Sequence, residues 1–566
     1  MPSNTLDHLL VQLDELKRDF DRNSRARILK ILAQLERRRF ADADALARFH
    51  ETLLFIRAYP QSAQILRRVE KILSSFSTRV ETLSEAGADL SPLGAVEASG
   101  VSGTFVEDTF SYSITRWLVL RHPSQVSIDW AAHEDEYRLA ATWPRFLPLL
   151  EEDALVEANV PYLDWLHAAR GRARTDLAWL IERFERLPLS EKEKAELYES
   201  LKLYVRWELD NSRATRTLMK RPVRKIFYHT KPLLRRSDVS LAREFAEASI
   251  PLQRLSRSQG EADLNLARET STIRYRELYG FTHGDARRVF RADIGRGVEL
   301  FLMGVPPERR LSLRAYHAGL IFKNGVPVCY VEGLSLFERM EIGFNAYYTF
   351  REGESAWIYA RVLKIFRQLL GVTTFSIDPY QLGYENEEGI ESGAFWFYRK
   401  LGFRPTLARA AKMMKAEERK LAARPASRTP ARILRQLSEG HMLLEIPPSF
   451  RRRWDKFQIR NVGLAVQRRM ASRFDGDAVK IRRASVESVT RALGVRTKDW
   501  TEAELRAFDA LALVLALIPD LARWMKAEKR DVVRIVRAKA GTDESRYLRL
   551  LQRHSRLRDE IVKIGS

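Results

Sequence analysis

The clearest pattern of hydrophobic and polar residues lies near the middle of the chain, from Met340 to Phe350. Apolar side chains occupy alternate positions, including Ile342 and Phe344, while Glu341 and Asn345 belong to the other set. A two-residue period is typical of a β-strand whose two faces meet different surroundings. We therefore predict a strand over residues 340–350.

A helix, a second strand and a second helix are predicted directly after this strand. The alternation breaks, and Ser355 is the predicted N-cap of a helix. From there to Gly371, a residue type that commonly ends helices, the apolar residues follow helical spacing. A strand is expected over residues 373–378 and a further helix over residues 392–402.

A β-hairpin is predicted before the central strand. Asn324 and Gly325 lie between two apolar runs, Ala318–Phe322 and Val326–Val331. The dipeptide Asn-Gly is the preferred sequence of the tight type I′ turn, in which both central residues have positive φ. Val298–Leu302 is the candidate first strand, so several strands are expected to precede the central one.

Outside this central part the apolar residues follow helical spacing. We predict a helical N-terminal region over residues 1–95 and a second helical region over residues 104–280. The strand-containing part covers residues 290–408, and a third helical region covers residues 431–566. The predicted fold class is α+β, with a central mixed β-sheet domain between large all-α N- and C-terminal regions.

The predicted helix near residue 400 carries a motif. Ala394 to Phe403 reads AFWFYRKLGF, which resembles the A-x-x-F-Y-x-K-L-G-F signature of the GNAT superfamily of N-acetyltransferases. The resemblance covers roughly residues 296–406, about one fifth of the chain. It implies a mixed sheet whose fourth strand leads into a loop and a helix N-terminus that hold the pyrophosphate of acyl-CoA.

The resemblance also implies where the acyl carrier binds. Acetyl-CoA or another acyl-CoA is the expected co-substrate, and its pyrophosphate needs free backbone amides at the positive end of a helix. The corresponding loop and helix start in this chain are formed by Phe350, Arg351, Gly353, Ser355 and Ala356.

The expected reaction is direct attack of an amine acceptor on the thioester. The amine needs a base that takes its proton. Glu341 is the first candidate because it shares a strand face with Asn345 and Tyr347, and Glu332 is the second. The resemblance implies that Tyr398 protonates the departing thiolate. No metal is expected to take part.

Two other functions stay open. The family's loop pattern is roughly [QR]-x-x-G-x-[GA], but its first position holds Phe350 here and its last holds Ser355. Fem-type peptidyl transferases and aminoacyl-phosphatidylglycerol synthases have the same fold, lack a proper pyrophosphate loop and use aminoacyl-tRNA. A second alternative is a non-catalytic scaffold or nucleic-acid-binding protein that has kept the fold.

The charge is distributed unevenly along the 566 residues, whose net charge is +22. Residues 1–200 hold 26 Lys and Arg against 32 Asp and Glu, whereas residues 401–500 hold 24 against 9. A basic segment rich in aromatic residues runs over 213–236. Such segments fit nucleic acid, including tRNA, or simply solvated helices, and composition does not decide between these interpretations.

Cysteine content and hydropathy indicate the compartment. The single cysteine, Cys329, excludes an intrachain disulfide and a cysteine-rich zinc site, so a reducing cytoplasm is the expected location. The most apolar run, Ala510–Pro519, is too short to span a bilayer. We therefore expect a buried helix there and no membrane span.

Overall fold

The structure is a computed structural model, which describes residues 5–135, 137–149, 160–171, 175–447 and 452–566. The chain divides into two compact units. Unit 1 comprises Met1–Pro232, Ala262–Thr282 and Lys323–Pro327. Unit 2 comprises Leu233–Glu261, His283–Phe322 and Val328–Ser566.

Helices dominate the first two hundred residues. The first four begin at Thr5, Asp21, Asp42 and Ser62, whose side chains accept a hydrogen bond from an amide of the first turn. In chain order the elements are α1 (Leu6–Leu16), α2 (Arg22–Glu36), α3 (Ala43–Ala58), α4 (Ala63–Ser74), α5 (Phe76–Glu85), α6 (Ser91–Gly94), β1 (Phe105–Asp108), α7 (Tyr112–Arg121), β2 (Val126–Ile128), α8 (Tyr137–Ala140), α9 (Tyr162–Arg170), α10 (Asp176–Arg186), α11 (Glu191–Ser200) and β3 (Val205–Glu208).

A small antiparallel sheet in unit 1 corrects the prediction of an all-α N-terminal part. Its strand order is β1-β3-β2, and in the central strand β3 Val205 and Trp207 are buried. These strands have three or four residues, too few for an alternating pattern to be distinguished from helical spacing. Trp143 and Phe184 join Trp207 in the apolar core of this unit.

The next elements lead into a large sheet. In chain order they are α12 (Leu241–Ala246), β4 (Gln253–Arg254), α13 (Arg257–Thr272), α14 (Tyr279–Thr282), β5 (Val289–Gly295), β6 (Val298–Gly304), β7 (Ala315–Lys323), β8 (Val326–Leu336), β9 (Arg339–Ala346), α15 (Ser355–Leu370), β10 (Thr374–Ile377), α16 (Pro379–Leu382), α17 (Glu387–Glu391), α18 (Ala394–Lys400), β11 (Arg404–Pro405), α19 (Ala408–Ala423), α20 (Ala431–Leu437) and β12 (Met442–Glu445).

The large sheet has nine strands in the order β11-β12-β10-β9-β8-β7-β6-β5-β4. It is mixed, because β9 and β10 run parallel while β8 pairs with β9 and β12 with β10 in the antiparallel direction. Helix α15 joins the parallel pair, as a parallel connection requires. The predicted α+β class with a central mixed sheet is confirmed.

The hairpin and the first predicted strand are confirmed, although the sheet is larger than predicted. Asn324 and Gly325 have φ of 49° and 83° between β7 and β8, which is the backbone of a type I′ turn. The strand predicted at Val298–Leu302 extends to Gly304 as β6. Strands β4 and β5 precede it and were not predicted.

Several predicted boundaries are wrong. The strand predicted over 340–350 ends at Ala346, because Tyr348–Phe350 form a 3₁₀ turn. Ser355 is the first residue of α15, whose N-cap is Glu354, whereas Gly371 ends the helix at φ 71° as predicted. Strand β12 lies between β10 and β11, so the C-terminal part of the chain is not all-α.

Helices complete the C-terminal part of unit 2. Among the described residues no helix is both long enough and apolar enough to cross a membrane. The remaining elements are α21 (Ile459–Phe474), α22 (Ala478–Leu493), α23 (Glu502–Leu515), α24 (Lys526–Lys539), α25 (Glu544–Arg553) and α26 (Ser555–Gly565).

The hairpin turn gives a stability prediction with a matched control. A Cβ atom on Gly325 would lie 2.2 Å from the carbonyl oxygen of Arg221, whereas Gly87, at φ 73°, has no atom within 4 Å of such a position. Replacement of Gly87 by Ala therefore costs only the left-handed backbone strain, about 1–2 kcal/mol. Gly325→Ala adds a steric clash and is expected to cost about 1–3 kcal/mol more.

Differential scanning calorimetry of the two variants measures this difference. Gly325→Ala is expected to have the lower melting temperature of the two. Equal melting temperatures would contradict the close approach of Arg221 to the turn.

Candidate functional site

Strands β9 and β10 pair over a short length and then part. The ladder runs from Arg339 opposite Thr374 to Glu341 opposite Ser376, and β10 ends one residue later. Strand β9 continues to Ala346, paired with β8 on its other edge throughout. Within the described part of the chain, the edge of β9 from Ile342 onward therefore has no strand partner on the β10 side. An edge of this kind presents backbone donors and acceptors to a ligand.

The strands around this parting carry polar side chains on one face. Residues opposite each other in a ladder point to the same face, and side chains alternate along a strand. Arg339 and Glu341 of β9 therefore share a face with Asp378, which follows β10. The pairing of Ile377 with Met442 places His441 beside Asp378 on that same face.

These side chains line a cleft of about 470 Å³, which we call the polar cleft. Its walls include the buried rings of Trp454 and Phe457, and the exposed rings of Tyr380 and Tyr384. Arg460, at the start of α21, also belongs to the lining. Because strand β9, the segment after β10 and the C-terminal part all contribute, the cleft joins residues that are far apart in sequence.

Opposite charges lie close together in the polar cleft. A carboxylate oxygen of Glu341 lies 3.2 Å from Arg314, and the other lies 3.8 Å from Arg339 and 4.0 Å from His441. His441 also lies 3.6 Å from Asp378, and this imidazole is the main cause that lowers the pKa of Asp378. Asp378 is therefore ionised at neutral pH.

Arg339 is held by aromatic rings. Its guanidinium carbon lies 5.9 Å from the ring centre of Trp454 and 5.4 Å from that of Phe457. Burial lowers the pKa of Arg339 to about 10, so the side chain keeps its charge at neutral pH. The Nε atom is buried and has no hydrogen-bond partner in the described part of the protein.

Glu341, Asp378 and His441 are also the residue types that bind divalent metals, and their ligating atoms all lie within 4.8 Å of one another. Arg314 and Arg339 already balance the charge of Glu341. With Asp378 the four charges sum to zero, so a divalent cation would leave two positive charges unbalanced. The charges therefore favour an organic ligand without net charge over a metal ion.

Glu332 lies on the neighbouring strand, on the same face as Glu341. It is opposite Gly343, where the edge of β9 is open, and it is the diagonal neighbour of Glu341. The hydroxyl of Tyr316 donates a hydrogen bond to its carboxylate. Burial raises the pKa of Glu332, which the hydrogen bond from Tyr316 partly opposes. A carboxylate with a raised pKa is a better proton acceptor than an exposed one.

The side chain of Gln381 links Tyr398 to the place where β9 and β10 part. The hydroxyl of Tyr398 donates a hydrogen bond of 3.4 Å to Oε1 of Gln381, and a Cβ atom on Gly343 would lie 3.2 Å from Nε2 of that glutamine. The ring packs against Tyr359 and Phe403. Burial raises the pKa of Tyr398, so its hydroxyl stays protonated and is able to donate.

The loop predicted to bind the carrier follows the C-terminal end of β9. Phe350 is buried and its carbonyl accepts the amide of Gly353 at 2.9 Å, while Arg351 forms an ion pair with Glu388. Ser355 and Ala356 begin α15.

The side chain of Glu354 lies at the start of the same helix and is fully buried. It is paired with Arg296 and accepts a hydrogen bond of 3.1 Å from the amide of Leu234. A carboxylate of the chain itself thus lies at the start of the helix, although it makes no capping hydrogen bond to the helix amides.

Three of the residues that the structure brings together were not predicted. Asp378 was expected only as the end of a strand, and His441 was placed in an all-α region. Their proximity depends on the pairing of β10 with β12, for which no local pattern exists. Glu354 was not singled out, since its burial depends on Arg296.

Comparisons with protein-family models, curated proteins and solved structures give no match. The chemistry therefore rests on the geometry of the parting. A strand edge without a strand partner and a carboxylate with a raised pKa lie at Gly343, and the polar cleft adjoins them at Glu341. Gln381 links the protonated phenol of Tyr398 to the same place.

The raised pKa of Glu332 gives a prediction about pH. As pH rises, the unfolded chain loses this proton before the folded chain does, so the group destabilises the fold above its raised pKa. Glu332→Gln removes the ionisation and is expected to raise the melting temperature at pH 8 by about 1–2 °C. At pH 4 the gain should be smaller.

Scanning calorimetry at pH 4, 6 and 8 measures this trend. Glu502→Gln is the control, because the same change there affects a side chain that is 85% exposed and should leave stability nearly unchanged. A Glu332→Gln variant that is less stable than the native protein at pH 8 would contradict the interpretation.

Proposed function

We propose that the protein is an N-acyltransferase that moves an acyl group, most simply acetyl, from an acyl-CoA to an amine. The single observation that carries the proposal is the parting of β9 and β10. The edge of β9 from Ile342 to Asn345 pairs with no strand on the β10 side within the described residues, and an extended ligand adds to such an edge through main-chain hydrogen bonds. The next carbonyl, that of Ala346, already accepts a hydrogen bond from Arg351. The pantetheine arm of CoA is an extended chain with two amide groups and ends in the thioester.

The residues around Gly343 fit the steps of this transfer. Glu332 takes a proton from the attacking amine, and the C–N bond forms as the C–S bond breaks. Tyr398, whose hydroxyl is protonated, gives a proton to the thiolate sulfur. Water returns the proton from Glu332 to Tyr398, so the enzyme ends in its starting state.

Glu341 is better suited to hold the acceptor than to act as the base. Two guanidinium groups already pair with its carboxylate. Burial raises the pKa of Glu332, which is therefore the proposed base. It lines the polar cleft and is the last residue of β9 that pairs with β10. An amine bound in the cleft therefore lies beside the thioester position.

The pyrophosphate of the carrier would meet the loop after β9. The first amides of α15, at Ser355 and Ala356, are the proposed donors. Arg351 would add its charge after exchanging its ion pair with Glu388 for the pyrophosphate. The negative charge of Glu354 is balanced by Arg296.

Isothermal titration calorimetry with acetyl-CoA tests the proposal. The native protein is expected to bind, and Gly343→Val is expected to weaken binding about tenfold or more, since the new side chain fills the parting. Gly353→Asp should have a similar effect, because it adds negative charge beside the pyrophosphate. Gly463→Val is the control, since nothing lies within 4 Å of a Cβ atom there.

Two results would contradict the proposal. No heat from the native protein would exclude acetyl-CoA as the carrier. Unchanged binding by Gly343→Val would place the carrier elsewhere.

A second candidate function is transfer from aminoacyl-tRNA. The observation that favours it is the carboxylate of Glu354 at the start of α15, where the pyrophosphate of CoA would bind. Helix α21 also offers a basic surface, because Arg460, Arg468 and Arg473 form no ion pair within the described ranges. Phosphate groups of tRNA would bind such arginines.

Fluorescence anisotropy with labelled bulk tRNA at two salt concentrations tests this candidate. Binding should weaken steeply with salt, and the double variant Arg468→Gln, Arg473→Gln should reduce the salt dependence by roughly one for each lost phosphate contact. Arg534→Gln, a side chain that is 71% exposed on α24, is the control. Binding of acetyl-CoA without binding of tRNA would exclude this candidate.

A further inference from the structure

We infer that the polar cleft binds its acceptor through two opposite charges, so that the acceptor is an amine that also carries an anionic group, an α-amino acid being the simplest case. The fate of the bound amine rests on the proposed function. The class of ligand is independent of the proposed function, because it follows from the charges and size of the cleft.

Arg339 is the residue of the cleft that accepts the anionic group. The residue is only 6% exposed, it lines the cleft, and its Nε atom has no hydrogen-bond partner in the described part of the chain. Its nearest carboxylate, that of Glu341, lies 3.8 Å away. A buried donor without an acceptor is costly, and a planar guanidinium group matches a carboxylate or phosphate.

The aromatic rings beside Arg339 define its orientation. Trp454 and Phe457 both lie within 6 Å of the guanidinium group, so the group is restrained before any ligand binds. Arg460 adds a second positive charge at the start of α21, where the helix dipole also favours an anion.

Asp378 and Glu341 are the residues that accept the ammonium group. The side chain of Asp378 is 41% exposed, and its Oδ1 accepts the amide of Tyr380 at 2.9 Å. Its Oδ2 lies 3.6 Å from His441, a distance that leaves room for a further donor. An ammonium group has three donors and no acceptor, so two carboxylates suit it.

The size of the cleft limits the acceptor to a small molecule. A volume of about 470 Å³ lies within the usual range of small-ligand pockets. Tyr380 and Tyr384, which are 60% and 42% exposed, leave the cleft open on one side. A side chain of variable length can therefore extend outward while the two charged groups stay fixed.

The transfer then proceeds from this bound state. The ammonium group first gives one proton to water and becomes a neutral amine. Its nitrogen forms the C–N bond as the C–S bond of the thioester breaks, and its second proton goes to Glu332. The products are an N-acyl amino acid and the free thiol.

Titration calorimetry of the full-length protein with the proteinogenic L-amino acids tests the inference. At least one of them should bind. Its decarboxylated amine and its deaminated acid should each bind about tenfold more weakly or worse. For L-phenylalanine, these partners are phenethylamine and hydrocinnamate.

Two variants should remove the two preferences separately. Arg339→Met should abolish the preference for the amino acid over the decarboxylated amine. Asp378→Asn should abolish the preference for the amino acid over the deaminated acid. Arg482→Met, which changes a half-exposed side chain on α22, should alter neither. If Arg339→Met fails to fold, Arg339→Lys, which keeps the charge but loses the planar fork, should weaken the preference for the amino acid.

Three results would overturn the inference. The first is no binding of any amino acid, and the second is equal binding of amino acid and amine by the native protein. The third is an increase in melting temperature with manganese or zinc chloride alone that Asp378→Asn abolishes, which would make the cleft a metal site. Amino-acid binding without acetyl-CoA binding would leave this inference standing and remove the proposed function, and the reverse result would remove this inference alone.

Discussion

The short ladder between β9 and β10 is the constraint on which the functional part of the structure depends. Strand β10 ends at Ile377 because Asp378 caps α16 with its side chain and Pro379, which has no amide hydrogen, follows. Strand β12 still pairs with Ile377 on the other side, so the sheet continues while one edge of β9 opens. The same residue, Asp378, therefore ends the strand, begins the helix and lines the polar cleft.

One face of these strands stabilises the fold, and the other carries the charged side chains of the candidate site. On one face, Met340, Ile342 and Ile377 are fully buried and hold the strands in the core of unit 2. The other face carries charges whose burial is unfavourable unless they are paired. A continuous apolar face offsets that cost, which allows Arg339 and Glu332 to stay partly desolvated beside a cleft.

The sequence predicted those elements that rest on local patterns. The Asn324-Gly325 hairpin, the helix that ends at Gly371 and the strand after it follow from turn chemistry and periodicity, and all three are present. The glutamates of β8 and β9 were found because alternation assigns them to a face. Their relative merit as bases was not predictable, since it depends on the partners of Glu341 and the burial of Glu332.

The unpredicted residues depend on contacts between distant parts of the chain. His441 reaches the cleft only because Met442 pairs with Ile377. The negative charge of Glu354 is balanced only because Arg296 forms an ion pair with it. The small sheet of unit 1 was missed for a different reason. Its strands are too short for an alternating pattern to be distinguished from helical spacing.

Strand β9 places both proposed substrates on one rigid element. Glu341 belongs to the paired part of the strand and Gly343 to the open part, and two residues of a strand span about 6.7 Å. An ammonium group held by the carboxylate of Glu341 would extend about 3 Å from it, which brings the nitrogen toward a thioester at Gly343. Reacting atoms need a separation of about 3–3.5 Å. A single strand can therefore set this approach, because both positions belong to the same backbone.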